Sequence, residues 1–240
     1  MEVKVMTYNI HHGKGMDRKV DINRIADVIA QSNVDIVGLN EVDKHFSRRS
    51  NHMDQISVLA EKLNMYEAFS GSLTLKSKQS TRLRQYGNAI LSRFPILTKK
   101  TYQFDFVPGI LEGRSFLQTS IQVNSKAVYF NVTHLSLNPF LHRMQTKFIM
   151  NQLTENPSSI IMGDFNMRPG SEGWRKITRK GQDVWHFAGN GKGHTYPSLQ
   201  PRFRLDYIFT SNNVIVTEAK VVTTHPNASD HLPLVACLRL

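Results

Sequence analysis

The sequence predicts a single α+β domain, built from short β-strands that helices separate into groups. Most apolar runs are short, and many alternate with polar residues as strands do. Segments with strand periodicity outnumber those with helical periodicity. The chain has 240 residues, 40% of them hydrophobic, and no repeat or linker-like cluster divides it. We therefore predict one core and one domain, residues 1–240.

The first two predicted strands both lead to polar residues. Residues 3–10 alternate in β fashion and break after Asn9, which places this amide at the carboxyl end of a strand. Asp21 is expected to cap a helix whose isoleucines recur on one face. The buried strand 35–39 follows, and we expect Glu41 just beyond its end.

The middle of the chain is predicted to be mostly β-structure. Asp54 caps a second helix, and Asn138 followed by Pro139 begins a third. Four further segments have strand-like composition, namely residues 86–93, 97–106, 115–123 and 126–133.

The last third of the chain contains more strands with polar ends. Residues 159–163 form a buried strand that leads into Asp164 and Asn166. Further strands are predicted over 204–209, over 217–224 and after Asp230–His231. Residues 187–204 are loop-like, and we expect this loop to cover a site.

The protein is strongly basic. Thirty Lys and Arg against nineteen Asp and Glu give a formal net charge of +11. This charge favours a polyanionic partner, and nucleic acid is the partner we expect, although a generically basic surface gives the same balance. Four cations lie in a segment without acids that we interpret as a mobile basic loop, namely Lys76, Lys78, Arg82 and Arg84.

Simple features argue against several classes of protein. No apolar run approaches the roughly 20 residues of a membrane span, so no transmembrane segment is predicted. The N-terminus lacks the basic-then-apolar layout of a secretory signal. A single cysteine, Cys237, excludes an internal disulfide and fits a reducing compartment, so we predict a cytoplasmic protein. Nothing in the sequence indicates a protein partner.

Acidic, amide and imidazole side chains recur where the apolar strands stop. They are Asn9, Glu41, His134, Asp164, Asn166, Asp230 and His231, with Asp206 inside its own strand. Each alone has a structural explanation, because Asn and Asp cap turns and a histidine can be satisfied within a core. Together they indicate a cleft at the strand ends.

The chemistry of this set favours a hard divalent cation. Carboxylates and amide oxygens suit Mg²⁺ or Mn²⁺, which are the cofactors we expect. The sequence has no paired cysteines and no H-E-x-x-H motif, and the adjacent His11 and His12 would diverge in an extended strand, so zinc is disfavoured. A Walker loop and a G-x-S-x-G elbow are also absent, which argues against those modes of nucleotide binding and serine catalysis.

Six motifs make the sequence resemble the endonuclease/exonuclease/phosphatase superfamily of metal-dependent phosphoesterases. In chain order they are Thr7-Tyr8-Asn9, Leu39-Asn40-Glu41-Val42, Thr133-His134-Leu135, Gly163-Asp164-Phe165-Asn166, Leu205-Asp206-Tyr207-Ile208 and Ser229-Asp230-His231. The resemblance covers residues 5–239. It implies a four-layer sandwich in which two mixed β-sheets pack face to face, with helices outside and the active site at one edge.

The resemblance implies roles for the matched residues nearest the metal ion. Glu41 would be the principal metal ligand, with Asn9 nearby and Asp230 adding a contact to the metal or its water. Asp164 would orient or deprotonate the attacking water. Asn166 would hold that water or the phosphate.

Further roles implied by the resemblance concern the phosphate. His231 would contact the scissile phosphate, and Asp206 would pair with His231 and favour its cation. His134 would donate to a phosphate oxygen, with Glu112 as a candidate acidic partner. Asn40 stands where many members have Gln, which keeps an amide beside the metal ligand but shortens its reach.

These features together predict hydrolysis of a phosphodiester, most directly in nucleic acid. We expect phosphate or substrate contacts from Arg114, Asn88, Arg82 and Arg84. One alternative is an enzyme acting on inositol phosphates or phospholipids, with a phosphoinositide or phospholipid partner met by an apolar loop at 104–111. Another is a non-catalytic polyanion-binding module.

Overall fold

The computed structural model describes residues 1–76, 82–106, 113–155 and 158–240. Its strands are β1 (Glu2–Asn9), β2 (Ile36–Lys44), β3 (Tyr66–Lys76), β4 (Leu83–Ser92), β5 (Ile96–Gln103), β6 (Ser115–Val123), β7 (Lys126–His134), β8 (Ser159–Asp164), β9 (Gln182–Asp183), β10 (Asp206–Thr210), β11 (Ile215–Val221) and β12 (Leu234–Arg239). Its helices are α1 (Ile22–Ser32), α2 (Gln55–Leu63), α3 (Pro139–Glu155), α4 (Glu172–Thr178) and α5 (Val184–Ala188).

The strands form two mixed sheets of six strands each. The first sheet has the order β11-β12-β1-β2-β4-β3, and the second has the order β5-β6-β7-β8-β10-β9. Each sheet has one parallel pair near its centre, β1 with β2 and β7 with β8, while the other neighbours are antiparallel. A helix connects the strands of each parallel pair, as parallel pairing requires.

Three apolar clusters hold these layers together. The inner faces of both sheets form one core, in which Ile36 and Ile90 of the first sheet lie with Phe130 and Met162 of the second. The outer face of the first sheet packs on α1 and α2, and that of the second packs on α3 and α4. The predicted α+β class and the four-layer sandwich implied by the resemblance are confirmed.

The sheets approach each other closely below their polar edge. A Cβ atom on Gly38 would lie 2.7 Å from Val132 Cγ2 of the opposite sheet, so a side chain here would force the layers apart. This contact explains the glycine in an otherwise apolar strand.

The three predicted helix caps are confirmed. Asp21 accepts from the backbone of Asn23, and Asp54 accepts from the backbone of Ser57. Asn138 Oδ1 accepts from two backbone N–H groups in the first turn of α3. Strand bounds differ from prediction by a few residues, and β3, α4 and the short β9 and α5 were not predicted.

Two predictions about loops have different outcomes. Residues 77–81 of the expected basic loop, including Lys78, lie outside the described residues, and the neighbouring Lys76 and Leu83 belong to β3 and β4. In the expected apolar loop, Phe104 is buried and stacks on Phe106 in the outer core of the second sheet, while 107–111 lie outside the described residues. Among the described helices, none is long and apolar enough to cross a membrane.

Candidate active site

Polar side chains from both sheets meet where the parallel pairs end. Asn9, His134 and Asp164 are the last residues of β1, β7 and β8. Asn9 Nδ2 donates to Asp164 Oδ2 at 3.2 Å, a hydrogen bond that joins the two sheets. Gly163 brings β8 against β7 here, because its φ of 149° and the nearby Thr133 carbonyl oxygen leave no room for a side chain. The predicted convergence of strand ends is therefore confirmed for these residues.

Glu41 reaches the site through a β-bulge, not through the end of its strand. β2 continues to Lys44, and its register shifts between Leu39 and Val42. Glu41 has a left-handed φ of 61°, and its Oε1 accepts from Asn9 Nδ2 at 3.3 Å. The prediction that the strand stops before Glu41 was wrong, because a bulge redirects a side chain without ending the strand.

The most enclosed part of the site contains Asp164, Asp206 and His231. Asp206 Oδ2 lies 2.8 Å from His231 Nδ1, and His231 Nε2 lies 3.7 Å from Asp164 Oδ2. Asp206 is the first residue of β10 and pairs directly with Asp164 across the sheet, although sequence had placed it inside its strand. The predicted pair of Asp206 with His231 is present.

Burial and mutual charge shift the protonation of this group. Burial raises the pKa of Asp164 to about 7 against the attraction of His231, and Asp206 adds to the increase. Burial also opposes the charged form of His231, but hydrogen bonding and attraction from Asp206, with attraction from Asp164 and Asp230, raise the pKa of the imidazole to about 10. Near neutral pH the site thus contains an imidazolium beside a carboxyl group poised to exchange a proton.

His134 and Asn166 form the wall on the other side of Asp164. His134 Nε2 lies 3.4 Å from Asp164 Oδ2 and 3.2 Å from Asn166 Nδ2, which also donates to the Leu135 carbonyl oxygen. Burial, with repulsion from nearby cations, holds the pKa of His134 well below its usual range. The neutral ring thus accepts from Asn166 through Nε2 in this arrangement, and its expected donation to phosphate stays a prediction. Glu112 lies outside the described residues.

A turn after β1 adds two histidines that the sequence analysis had set aside. His11 and His12 lie in a short 3-10 turn, each with a left-handed φ of 45°, and their ring centroids are 4.6 Å apart. The prediction that the two rings diverge was wrong, because it assumed an extended chain. The signal was present in the break of the strand pattern before Gly13. Burial, with repulsion from Arg49 and His11, lowers the pKa of His12 to about 4, so its ring stays neutral.

Asp230 lies between this turn and the pair formed by Asp206 and His231. Its Oδ1 lies 3.6 Å from His11 Nδ1 and accepts from Ser229 Oγ at 3.3 Å. Asn9 turns its amide nitrogen toward two carboxylates, and its Oδ1 accepts from the His11 backbone. Asn9 therefore bridges the two halves of the site in this structure. Its expected contact with a metal ion stays a prediction.

Asn40 holds the two sheets together beneath the site. Its Oδ1 accepts from the Asp164 backbone at 2.8 Å, and its Nδ2 donates to Asn88 Oδ1 at 2.8 Å and to the Thr133 carbonyl oxygen at 2.9 Å. Asn88, expected to contact substrate, is buried and donates onward to the Ser115 backbone. Sequence reasoning had noted Asn40 only as a departure from the family, and its position between the sheets gives it a structural task.

The three predicted substrate arginines lie in different surroundings. Arg114 is half-buried, and its Nε has no hydrogen-bond partner within the described ranges. Its charge lowers the pKa of His134, so Arg114 lies near the site. Arg84 donates to the Phe46 carbonyl oxygen, and Arg82 is exposed in the connection before β4.

The predicted loop 187–204 packs over the pair formed by Asp206 and His231. The ring of Tyr196 lies 4.8 Å from that of His231, and Thr195 Oγ1 accepts from the Asp206 backbone. Ser198 donates its backbone N–H to the Asp230 carbonyl oxygen. This loop therefore encloses the buried half of the site, as expected.

The fold and the site define a class of protein, the hydrolases that act on phosphate esters. A carboxylate that exchanges a proton near neutral pH, an imidazolium and convergent amides suit the activation of water beside a phosphate group. The chain belongs to the Endonuclease/Exonuclease/phosphatase family, whose match covers residues 6–231.

Solved structures support this assignment. An endonuclease/exonuclease/phosphatase from Beutenbergia cavernae superposes with a TM-score of 0.85 at 25% identity, over 100% of this chain and 72% of that one. A mannosyl-6-phosphatase from Bacteroides thetaiotaomicron gives 0.79 at 17% identity, over 99% and 100%. Truncated TDP2 from Caenorhabditis elegans gives 0.70 at 20% identity, over 100% and 98%. No curated protein matches the sequence.

The family typically uses a divalent metal ion, and the residues present fit one. Side chains of His11, His12 and Glu41 converge, and so do those of Asp164, Asp206 and His231. In the second group His231 Nδ1 is already paired with Asp206, whereas the first group offers a carboxylate and two imidazoles. The first group therefore fits a divalent cation better than the second.

Proposed function

We propose that this chain is a divalent-cation-dependent phosphodiesterase that hydrolyses nucleic acid. The observation that carries the proposal is the position of Asp164 between the two halves of the site. Its Oδ2 lies 3.2 Å from Asn9 Nδ2 on one side and 3.7 Å from His231 Nε2 on the other. A phosphate bound between Glu41 and His231 would lie beside this carboxylate, where a water molecule hydrogen-bonded to Asp164 could attack it.

Asp164 acts as the general base in this scheme. Its carboxylate takes a proton from the water while the water oxygen forms a bond to phosphorus and the opposite P–O ester bond breaks. The leaving oxygen departs with the bonding electrons and is protonated from solvent. The backbone N–H of Asn166 donates to Asp164 Oδ1 at 2.9 Å, which holds the other carboxylate oxygen toward the water.

His231 stabilises charge that develops on the phosphate. Its protonated Nε2 donates to a non-bridging oxygen, while Asp206 holds the Nδ1 proton and favours the cationic ring. A divalent cation held by Glu41 and its neighbours would supply further positive charge for a phosphate oxygen. Each group acts where negative charge increases along the reaction.

Two features support nucleic acid as the substrate. The net charge of +11 favours binding to a polyanion through counterion release. Arg114 lies near His134 and has a buried Nε with no partner in the described ranges, as expected of a donor for a phosphate oxygen. Phe104, the first residue of the apolar loop expected to meet a lipid, belongs to the core instead, which weakens the lipid alternative.

The proposal is tested by product release from a panel of phosphate esters. The panel holds single- and double-stranded DNA, abasic duplex, RNA, bis-p-nitrophenyl phosphate, phosphoinositides, sphingomyelin and, because one structural relative is a mannosyl-6-phosphatase, mannose 6-phosphate. Each reaction runs with Mg²⁺, Mn²⁺ or a chelator. The variants are Asp164→Asn and, as a matched control, Asp27→Asn on the exposed face of α1.

We expect cation-dependent cleavage of a nucleic acid that Asp164→Asn abolishes and Asp27→Asn retains. Turnover confined to a lipid or to mannose 6-phosphate would show that the proposed substrate class is wrong, while the proposed active site would stand. If the folded, cation-loaded protein cleaves no member of the panel, the result would favour the non-catalytic binding module.

A further inference from the structure

We propose that His11, His12 and Glu41 form a site for a later first-row transition metal ion such as Co²⁺ or Zn²⁺, in preference to Mg²⁺. The inference rests on the proposed function, because it names the cation that the phosphodiesterase uses. One ligand atom from each side chain lies within 4.8 Å of the other two. Ligands bonded to one ion at about 2.1 Å are roughly 3–4 Å apart, so small side-chain rotations close this site.

The turn that carries the histidines is fixed against the strand that carries Glu41. Buried Gln55 donates from Nε2 to the His12 carbonyl oxygen at 2.7 Å, and its Oε1 accepts from the Asp43 backbone at 2.9 Å. Asp43 lies two positions after Glu41 in β2. One side chain thus sets the distance between the imidazoles and the carboxylate.

The backbone at all three positions adopts a conformation that is uncommon for residues other than glycine. The φ angles are 45° for His11, 45° for His12 and 61° for Glu41, all in the left-handed region. Histidine adopts this conformation more often than most residues, whereas for Glu41 the surrounding contacts impose it. The left-handed conformation directs the three side chains to a common point.

The donor set determines which ion is preferred. Mg²⁺ takes oxygen ligands and retains several waters, whereas imidazole nitrogen suits the later divalent ions of the first row. Asp230 Oδ1 lies 3.6 Å from His11 Nδ1, so a small side-chain rotation would let this carboxylate accept from the ring and orient it. The side chain of His11 is 30% exposed, which leaves an approach for a phosphate oxygen.

The test measures ion binding to the full chain after treatment with chelator. Calorimetric titrations with Mg²⁺, Mn²⁺, Co²⁺ and Zn²⁺ give affinities, and the visible spectrum of Co²⁺ reports nitrogen ligation. We expect the later ions to bind at least about tenfold more tightly than Mg²⁺. His11→Gln and His12→Gln should each weaken Co²⁺ binding by at least about tenfold, because loss of a ligand costs no less than loss of the group that orients it. The matched control His225→Gln, an exposed histidine bonded to Gln31, should leave binding unchanged.

Two outcomes would overturn the proposal. One is equal affinity for Mg²⁺ and Co²⁺ with no loss in either histidine variant, and the other is a Co²⁺ spectrum lost only in Asp164→Asn. Circular dichroism checks folding, and His11→Gln alone carries the test if the buried His12 position does not tolerate change. Either of these outcomes, found together with cation-dependent phosphodiester cleavage, would contradict this inference and leave the proposed function intact. Tight Co²⁺ binding without any turnover would support this inference and contradict the proposed function.

Discussion

The two halves of the site differ in their access to water. Asp164 and Asp206 are 2% and 0% exposed, and a loop covers His231. Glu41 is half-buried, and the side chain of His11 is 30% exposed. Burial shifts the pKa values of Asp164 and His231, as proton transfer requires, while access at Glu41 and His11 allows an ion and a phosphate to enter. The comparison indicates a division between proton chemistry and ion binding.

The largest expected effect comes from removal of the buried base. Asp164→Asn should lower kcat about 10²–10⁴-fold, because the attacking water loses its proton acceptor. Steady-state kinetics on the substrate identified by the panel measure the loss. A decrease of less than about tenfold would assign the base to another group.

Thermal unfolding separates this loss from a folding defect. The pKa of Asp164 in the folded protein, about 7, is above that of an unfolded aspartate, so the stability it contributes is present at low pH and is lost as pH rises through 7. The neutral Asn variant lacks this ionisation. At pH 8 its Tm should therefore equal or exceed that of the unchanged chain.

The next effect concerns the pH range of activity. The rate should rise as Asp164 loses its proton near pH 7 and fall as His231 loses its proton near pH 10. Asp206→Asn removes the paired charge from His231 and should lower the alkaline limit by about 1–3 pH units. Profiles of kcat/KM against pH for both proteins measure the shift. An unchanged alkaline limit would show that His231 does not set it.

A smaller effect is expected where the two halves are joined. Asn40→Ala removes three hydrogen bonds, those with the Asp164 backbone N–H, with Asn88 Oδ1 and with the Thr133 carbonyl oxygen. It should lower the free energy of unfolding by about 1–3 kcal/mol, the cost of unsatisfied buried groups. Denaturant unfolding measures this, with the exposed Asn23→Ala as control. Equal stability of the two variants would refute the joining role.

The smallest effect is expected at the edge of the site. Arg114→Gln should raise KM about three- to tenfold with little change in kcat, because a half-exposed cation binds phosphate under solvent screening. Initial rates over a range of substrate concentrations separate the two constants. A loss confined to kcat would place Arg114 in the transition state instead.

The predictable part of the fold lay in local patterns. Asp21 and Asp54 were recognised as caps because a side chain and a backbone N–H two or three residues away are enough to define one. Strand β3 was missed, because it pairs along β4 but lies largely outside the core and shows no clear alternation. Local sequence patterns therefore predicted a helix or strand well where its burial follows the hydrophobic periodicity.

The predictable part of the site was a set of residue types. Asn9, Asp164 and His231 could be selected because they follow apolar strands and match family motifs. The bulge at Glu41 could not, because it depends on left-handed backbone that contacts elsewhere in the fold impose. The turn at His11 was signalled only by the break of the strand pattern before Gly13, which does not show where the two rings point.

The sequence by itself determined the layered α+β class, the capped helices and the polar strand ends, since each depends on neighbouring residues and their periodicity. Only the tertiary structure decided which atoms face each other. Asn9 and Asp164 are 155 positions apart, and their contact exists because two sheets pack at Gly38 and end at the same edge. Long-range packing fixes distances, burial and charge, which no local pattern specifies.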